Sequence, residues 1–185
     1  LEGREVVDVR GHVVAPGFID LHAHGQDPFS RDLQVRDGVT TALELEIGTS
    51  DVDAWYDVRE GRTAINYGVS SGHVPSRMAV MNEDGPGLIP SGEAAYREAS
   101  DQEVGEITKL IEQGLERGGL GVGFGLQYTP AAARLEVMAA FRVANRFGAP
   151  CLVHVRGMGA PPSDLGRPGG VEGLQEVIAV AAITG

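Results

Sequence analysis

VVAPGFIDLHAHG, residues 13–25, is the stretch on which the reading of this chain turns. It begins β-branched and apolar and becomes polar at its C-terminal end, as a buried strand does when its chemistry sits at the tip. His22 and His24 stand at i and i+2, so on a strand both imidazoles point to one face. That spacing suits two imidazoles on one cation. The plainer reading makes one of them a hydrogen-bonded core histidine and the other a loop residue. At the end of an apolar strand, however, two imidazoles facing a cavity have little packing value, which favours the cation.

The rest of the chain repeats the pattern. TTALELEIG (40–48) alternates, with Leu43, Leu45 and Ile47 on one face and Glu44 and Glu46 on the other. AINYGVSSGHV (64–74) reads as a third strand, followed by a loop, NEDGPGLIPSGE (82–93). Ser100 and Glu103 form a capping box ahead of Val104, Ile107, Ile111 and Leu115, which recur at helical spacing until Gly118-Gly119. GLGVGFGLQYTP (119–130) is a short Gly-rich strand, with Thr129 and Pro130 as N-cap and N1 of a helix that carries Leu135, Met138 and Phe141 and ends at Gly148. APCLVHVRG (149–157) is the next strand, residues 157–170 a loop, and residues 170–185 a further helix.

Strand and helix in regular alternation imply parallel βα units. His22, His24, Glu46, His73, Tyr128 and His154 all fall at the C-terminal ends of strands, where a (β/α)8 barrel keeps its active site. The expectation is an α/β protein, a TIM-like (β/α)8 barrel of which the chain covers roughly strands 1 to 5. A doubly wound sheet is the alternative, but no G-x-G-x-x-G turn follows the first strand.

Charge and composition exclude other classes. The net charge of −11 repels phosphate backbones and anionic lipid, so neither nucleic acid nor a membrane surface is an expected partner. No apolar run approaches the roughly 20 residues that span a bilayer. The start, LEGREVVDVRG, lacks a signal-peptide pattern, and the single Cys151 cannot form an internal disulfide, so a reducing cytoplasm is expected.

Glu44 and Glu46 would face the barrel interior, because parallel barrel strands are covered on both sides. Two inward carboxylates beside two imidazoles call for a cation between them. Glu46 lies nearer the strand end and is preferred as the ligand, with Glu44 a layer deeper as a hydrogen-bonding support. His154, in LVHV, would be a satisfied core histidine if it stood alone; beside these groups it reads as a further ligand. Imidazoles with a carboxylate suit Zn²⁺, one or two ions, with Mn²⁺, Fe²⁺ or Ni²⁺ also compatible. His12 precedes the first strand and is given no role.

These motifs carry a resemblance. P-G-F-I-D-x-H-x-H resembles the metal-site opening of the amidohydrolase superfamily. GVTTALELEIG (38–48) is similar to the second strand, SSGHVPSRMAVM (70–81) to the G-H-x-x-x-R-x-x-V-M segment of the N-acyl-D-amino-acid deacylase (D-aminoacylase-like) branch, GLGVGFGLQYTP to its G-x-G-x-x-x-G-L-x-Y-x-P, and LVHVRG to its fifth strand. The matches run in order along essentially the whole chain.

The resemblance implies that His22 and His24 hold one metal and His154 the second, with Glu46 in place of the bridging cysteine usual in the branch. A bridging carboxylated lysine does not fit, since the only lysine is Lys109, on a helix. His73, Arg77, Tyr128 and Arg156 match positions near the substrate and would contact its polar and carboxylate groups. The resemblance also places a catalytic Asp on strand eight, beyond residue 185, and leaves no catalytic residue within this chain. It makes residues 1–12 the end of a flanking β-domain, with EVVDVRG as a strand, and residues 13–185 the N-terminal part of the barrel. The rest of the barrel would come from the same gene product or another chain.

The implied activity is hydrolysis of an amide by a metal-activated water, the substrate a small N-acyl (D-)amino acid. A cyclic amidase of dihydroorotase or hydantoinase type is the alternative. A non-catalytic homologue or fragment with a binding or structural role is the reading from another class.

Overall fold

The computed structural model describes residues 3–25, 27–83, 87–159 and 169–185. Five strands form one parallel sheet in the order of the sequence: β1 (Phe18–Asp20), β2 (Val39–Thr49), β3 (Asn66–Gly72), β4 (Val122–Gly125) and β5 (Cys151–His154). Between them run α1 (Pro28–Arg36), α2 (Val52–Asp57), α3 (His73–Val80), α4 (Glu93–Tyr96), α5 (Asp101–Glu116) and α6 (Arg134–Phe147), with α7 (Gly169–Thr184) after β5. This is the expected α/β unit sequence of part of a TIM-like barrel. No helix of the described residues is long and apolar enough to cross a membrane.

The sheet is strongly curled. In a flat sheet β2 and β5, two strands apart from being neighbours, would be separated by roughly 14 Å. Yet His154 Nδ1 lies 2.5 Å from Glu46 Oε1. Gly123 explains part of the closure. A Cβ there would stand 2.5 Å from the Glu46 carbonyl oxygen and 2.6 Å from that of Leu45. Only a residue without a side chain lets β4 approach the backbone of β2 this closely.

The opposite, convex face is covered by helices. Val122 and Phe124 of β4, with Leu126 just beyond it, pack against Ile107, Ile111 and Leu115 of α5 and against Val137, Ala140, Phe141, Val143 and Ala144 of α6, joined by Val180 of α7. Helix α5 begins with the expected capping box: the Ser100 side chain accepts from the Glu103 amide and Glu103 reaches back to the Ser100 amide. Helix α6 ends at Gly148, whose φ of 61° is left-handed and suits glycine.

Several boundaries differ from the sequence reading. The strand expected over 13–25 is only Phe18–Asp20, and the histidines follow it in a bend. The stretch 3–12 forms no strand and is exposed. Helix α6 starts at Arg134 with Ala133 as N-cap, not at Thr129. The Thr129 hydroxyl is already committed to the Gly125 carbonyl, and Arg156 takes the carbonyls of Thr129, Pro130 and Ala132, so this segment is held in a non-helical turn. Leu135, expected on the buried face of α6, is exposed. His73 begins α3 instead of closing β3. Most of the loop read over 157–170 lies outside the described residues.

Candidate metal centre

The site forms where β2 is irregular. Pairing with β3 loses register between Glu44 and Thr49, which leaves backbone amides without ladder partners. The Glu44 carboxylate takes two of them: its Oε1 accepts from the amides of Ile47 at 3.2 Å and Gly48 at 3.4 Å. Its Oε2 accepts from His24 Nδ1 at 2.8 Å. Glu44 is therefore buried and satisfied on both oxygens.

Glu46, two residues on, points into the concave face. Its Oε2 lies 2.6 Å from His22 Nε2 and 3.0 Å from His24 Nε2, and its Oε1 lies 2.5 Å from His154 Nδ1. One buried carboxylate thus meets three imidazoles from the ends of β1 and β5. An Asx turn positions the first of them, with the His22 amide donating to Asp20 Oδ1 at 2.9 Å. The His22 and His24 rings meet edge to face with centroids 4.6 Å apart. Burial alone would lower the His24 pKa, but its bonds to Glu44 and Glu46 and their charges outweigh this and raise it above 6.5.

Tyr128 borders the group, its hydroxyl 3.2 Å from His154 Nδ1. Burial and the Glu46 charge push its phenol above the ordinary range, so it stays protonated.

Ligand atoms of His22, His24 and Glu46 all lie within 4.8 Å of one another. Around a tetrahedral Zn²⁺ with bonds of about 2.1 Å, ligand atoms sit roughly 3.4 Å apart. The hydrogen-bonded contacts of 2.5 to 3.0 Å need open by less than about 1 Å to admit such an ion. The nitrogen and carboxylate donors also suit it, so the residues fit the group.

The structure brings together His22, His24, Glu46 and His154, with Tyr128 at the rim. It does not bring the other three expected residues to them. His73 and Arg77 are fully buried on the helix side of the sheet: His73 stacks on Phe124 and bonds Glu136 at 2.8 Å, while Arg77 forks onto both Glu136 oxygens at 2.7 and 2.6 Å. The remaining Arg77 donors go to the carbonyls of Ala94 and Arg97. Arg156 is spent on Glu176 and on the turn before α6. For His73 and Arg77 the cause is burial behind the sheet, and for Arg156 it is the carbonyls of the turn before α6; in both cases a potential carboxylate clamp becomes an internal brace. Glu136 was missed by sequence reading. A lone Glu at the start of an apolar helix face is its signal, and that is legible only once Arg77 is known to face it.

No family model matches the chain. Among curated proteins it is similar to D-aminoacylase of Alcaligenes xylosoxydans xylosoxydans, 29% identical with 83% of this chain and 36% of that protein covered. It is also similar to N-acyl-D-aspartate deacylase of the same organism, 28% identical over 71% of this chain and 30% of the other. The chain therefore spans about a third of the length of these relatives. Two solved structures share its fold. A D-aminoacylase crystal structure superposes with a TM-score of 0.65 at 22% identity, covering 90% of this chain and 38% of that one. The N-acyl-D-glutamate deacylase of Bordetella bronchiseptica, complexed with zinc and a phosphonate inhibitor, gives 0.68 at 21% identity, over 91% and 38%. The resemblance of the motifs to the N-acyl-D-amino-acid deacylase branch of the amidohydrolases is thus borne out in both sequence and fold.

Proposed function

We propose that this chain carries the metal-binding part of a metal-dependent amide hydrolase, and that the whole protein deacylates an N-acyl-D-amino acid. The observation that carries the reading is the Glu46 carboxylate, buried and met on both oxygens by imidazoles from different strands. Such a carboxylate, left without its partners, would be costly to bury. The relatives named for N-acyl-D-amino acids, one of them solved with zinc, supply the substrate class.

His22 and His24 with Glu46 Oε2 would hold one divalent cation, and His154 with Glu46 Oε1 a second, zinc being the ion that the donor set suits best. When bound, the cation supplies a Lewis acid and a water acidified toward neutral pKa. Glu46 keeps the imidazoles at fixed separation and offsets the positive charge. Tyr128, protonated and with its hydroxyl beside His154 at the rim of the cluster, donates a hydrogen bond to the substrate carbonyl oxygen as charge builds there. Proton transfer to the leaving amine belongs to the strand-eight aspartate that the family resemblance supplies, in the whole protein. Of the four expected substrate contacts, only Tyr128 is assigned here. Lys109 is exposed on α5, remote from the strand ends, which weighs against a lysine-bridged cyclic amidase.

The test is a substrate panel with the whole zinc-loaded protein. Turnover of N-acetyl-D-amino acids over their L counterparts is expected. Hydrolysis of hydantoins or dihydroorotate instead would overturn the deacylase reading.

A further inference from the structure

We infer that Glu44 is a tautomer lock, holding the proton of neutral His24 on Nδ1 so that Nε2 is left free to bind a cation. The inference rests on the reading of His24 as a cation ligand, and it assigns a positioning role to a residue that touches no cation itself.

A neutral imidazole has one N–H, and the nitrogen that carries it cannot bind a metal. Both nitrogens of His24 face a carboxylate: Nδ1 is 2.8 Å from Glu44 Oε2, and Nε2 is 3.0 Å from Glu46 Oε2. The two acceptors are not equivalent. Glu46 is shared among three rings, its Oε2 also facing His22 Nε2 at 2.6 Å and its Oε1 facing His154 Nδ1 at 2.5 Å. Glu44 Oε2 faces His24 alone among the described contacts, and Glu44 is anchored, because its Oε1 accepts from the amides of Ile47 and Gly48. An ionised carboxylate only accepts, so the anchored Oε2 calls for a proton on Nδ1.

The anchoring makes the isosteric replacement informative. In Glu44→Gln the side chain keeps its shape, but the two amide groups donate and can be met only by the Gln carbonyl oxygen. The Gln NH2 is then turned toward His24 Nδ1. It donates there, so Nδ1 becomes the acceptor and the single proton moves to Nε2. The substitution should therefore reverse the tautomer, where simple loss of a contact would only loosen the ring.

The experiment is ¹⁵N–¹H correlation spectroscopy of the histidine side chains in the metal-free protein, at alkaline pH where imidazoles are neutral. Wild type should show His24 protonated on Nδ1, and Glu44→Gln should show it protonated on Nε2. In calorimetric titrations with Zn²⁺ alone, the variant should bind about 10- to 100-fold more weakly. Wild-type His24 protonated on Nε2, or an unchanged tautomer in the folded variant, overturns the lock. Should Glu44→Gln fail to fold, the wild-type spectrum decides by itself. If wild type carries the Nδ1 proton but binds no Zn²⁺, the lock stands and the metal-centre reading fails.

Discussion

Glu46 and Arg77 show how differently two buried charges can be used. Arg77 is fully buried and spends its guanidinium on Glu136 and two backbone carbonyls. Removing it leaves Glu136 buried with His73 as its one remaining side-chain partner among the described contacts, so Arg77→Ala should lose about 3–5 kcal/mol in denaturant unfolding. A loss below about 1 kcal/mol would show that the brace is not structural. Burial alone would raise the Glu136 pKa, but His73 and Arg77 outweigh it and hold it below its ordinary 4.5. The folded-state value is the depressed one, so the stabilisation is complete above about pH 4.5 and is lost as pH falls through the lower folded value. At the candidate metal centre the shift runs the other way. His24 is raised above 6.5, so a proton competes with a cation below that raised value, and Zn²⁺ affinity should climb as pH rises through it. The side chains that gather there were legible in the sequence, because H-x-H and a period-2 pair of glutamates are local patterns. The fate of Arg77 and Arg156 was not, because a guanidinium in a strand-end motif looks the same whether it faces a cavity or the helices behind.

At the scale of elements, capping and close approach decide where things stand. Glu103 is held by Arg97 and by the Ser100 amide and hydroxyl, which bring its pKa to about 2. The α5 capping box should therefore persist on acidification until pH approaches 2, and Ser100→Ala should cost about 1 kcal/mol at neutral pH. Gly123→Ala tests the curl. Its Cβ would collide with the Glu46 and Leu45 carbonyls, so β2 must move away from β4. Weakened Zn²⁺ binding with α5 and α6 intact by circular dichroism is expected; unchanged binding would mean that the site does not depend on this approach. The capping box of α5 and the Gly148 stop of α6 were readable because each is set by a few adjacent residues. The start of α6 was not. Thr129-Pro130 carries a helix-start signal, but the Thr129 hydroxyl and the following carbonyls are claimed by tertiary partners, Gly125 and Arg156. Tertiary contacts likewise shortened the first strand to Phe18–Asp20, since the regular ladder to β2 covers only those residues, and Ala23 adds a single further bond to the Leu43 carbonyl.

The whole molecule follows from the alternation of strands and helices. That alternation fixed a parallel sheet and the order β1-β2-β3-β4-β5, and the curl followed from small residues that no periodicity reports. The curl is what turns four separate motif residues into one cluster. It also leaves apolar side chains on the outer elements in contact with solvent: Phe18 and Ile19 on β1, Phe29 and Leu33 on α1, Leu174, Ile178 and Ile183 on α7. Exposed strand edges with such neighbours favour association. This chain in isolation should sediment as concentration-dependent oligomers, and Phe18→Lys should reduce that tendency while leaving the cluster around Glu46 in place. A monodisperse monomer at high concentration would contradict this.

If Glu46 joins His22, His24 and His154 around a divalent cation, the chain should retain that ion and lose it with the carboxylate. Zinc content per chain after dialysis, by elemental analysis, tests it most directly when wild type is compared with Glu46→Ala. Wild type should hold one or two bound ions, and the variant should show a clear loss with the fold retained. Wild type without zinc, or a variant that keeps its full complement, would contradict it.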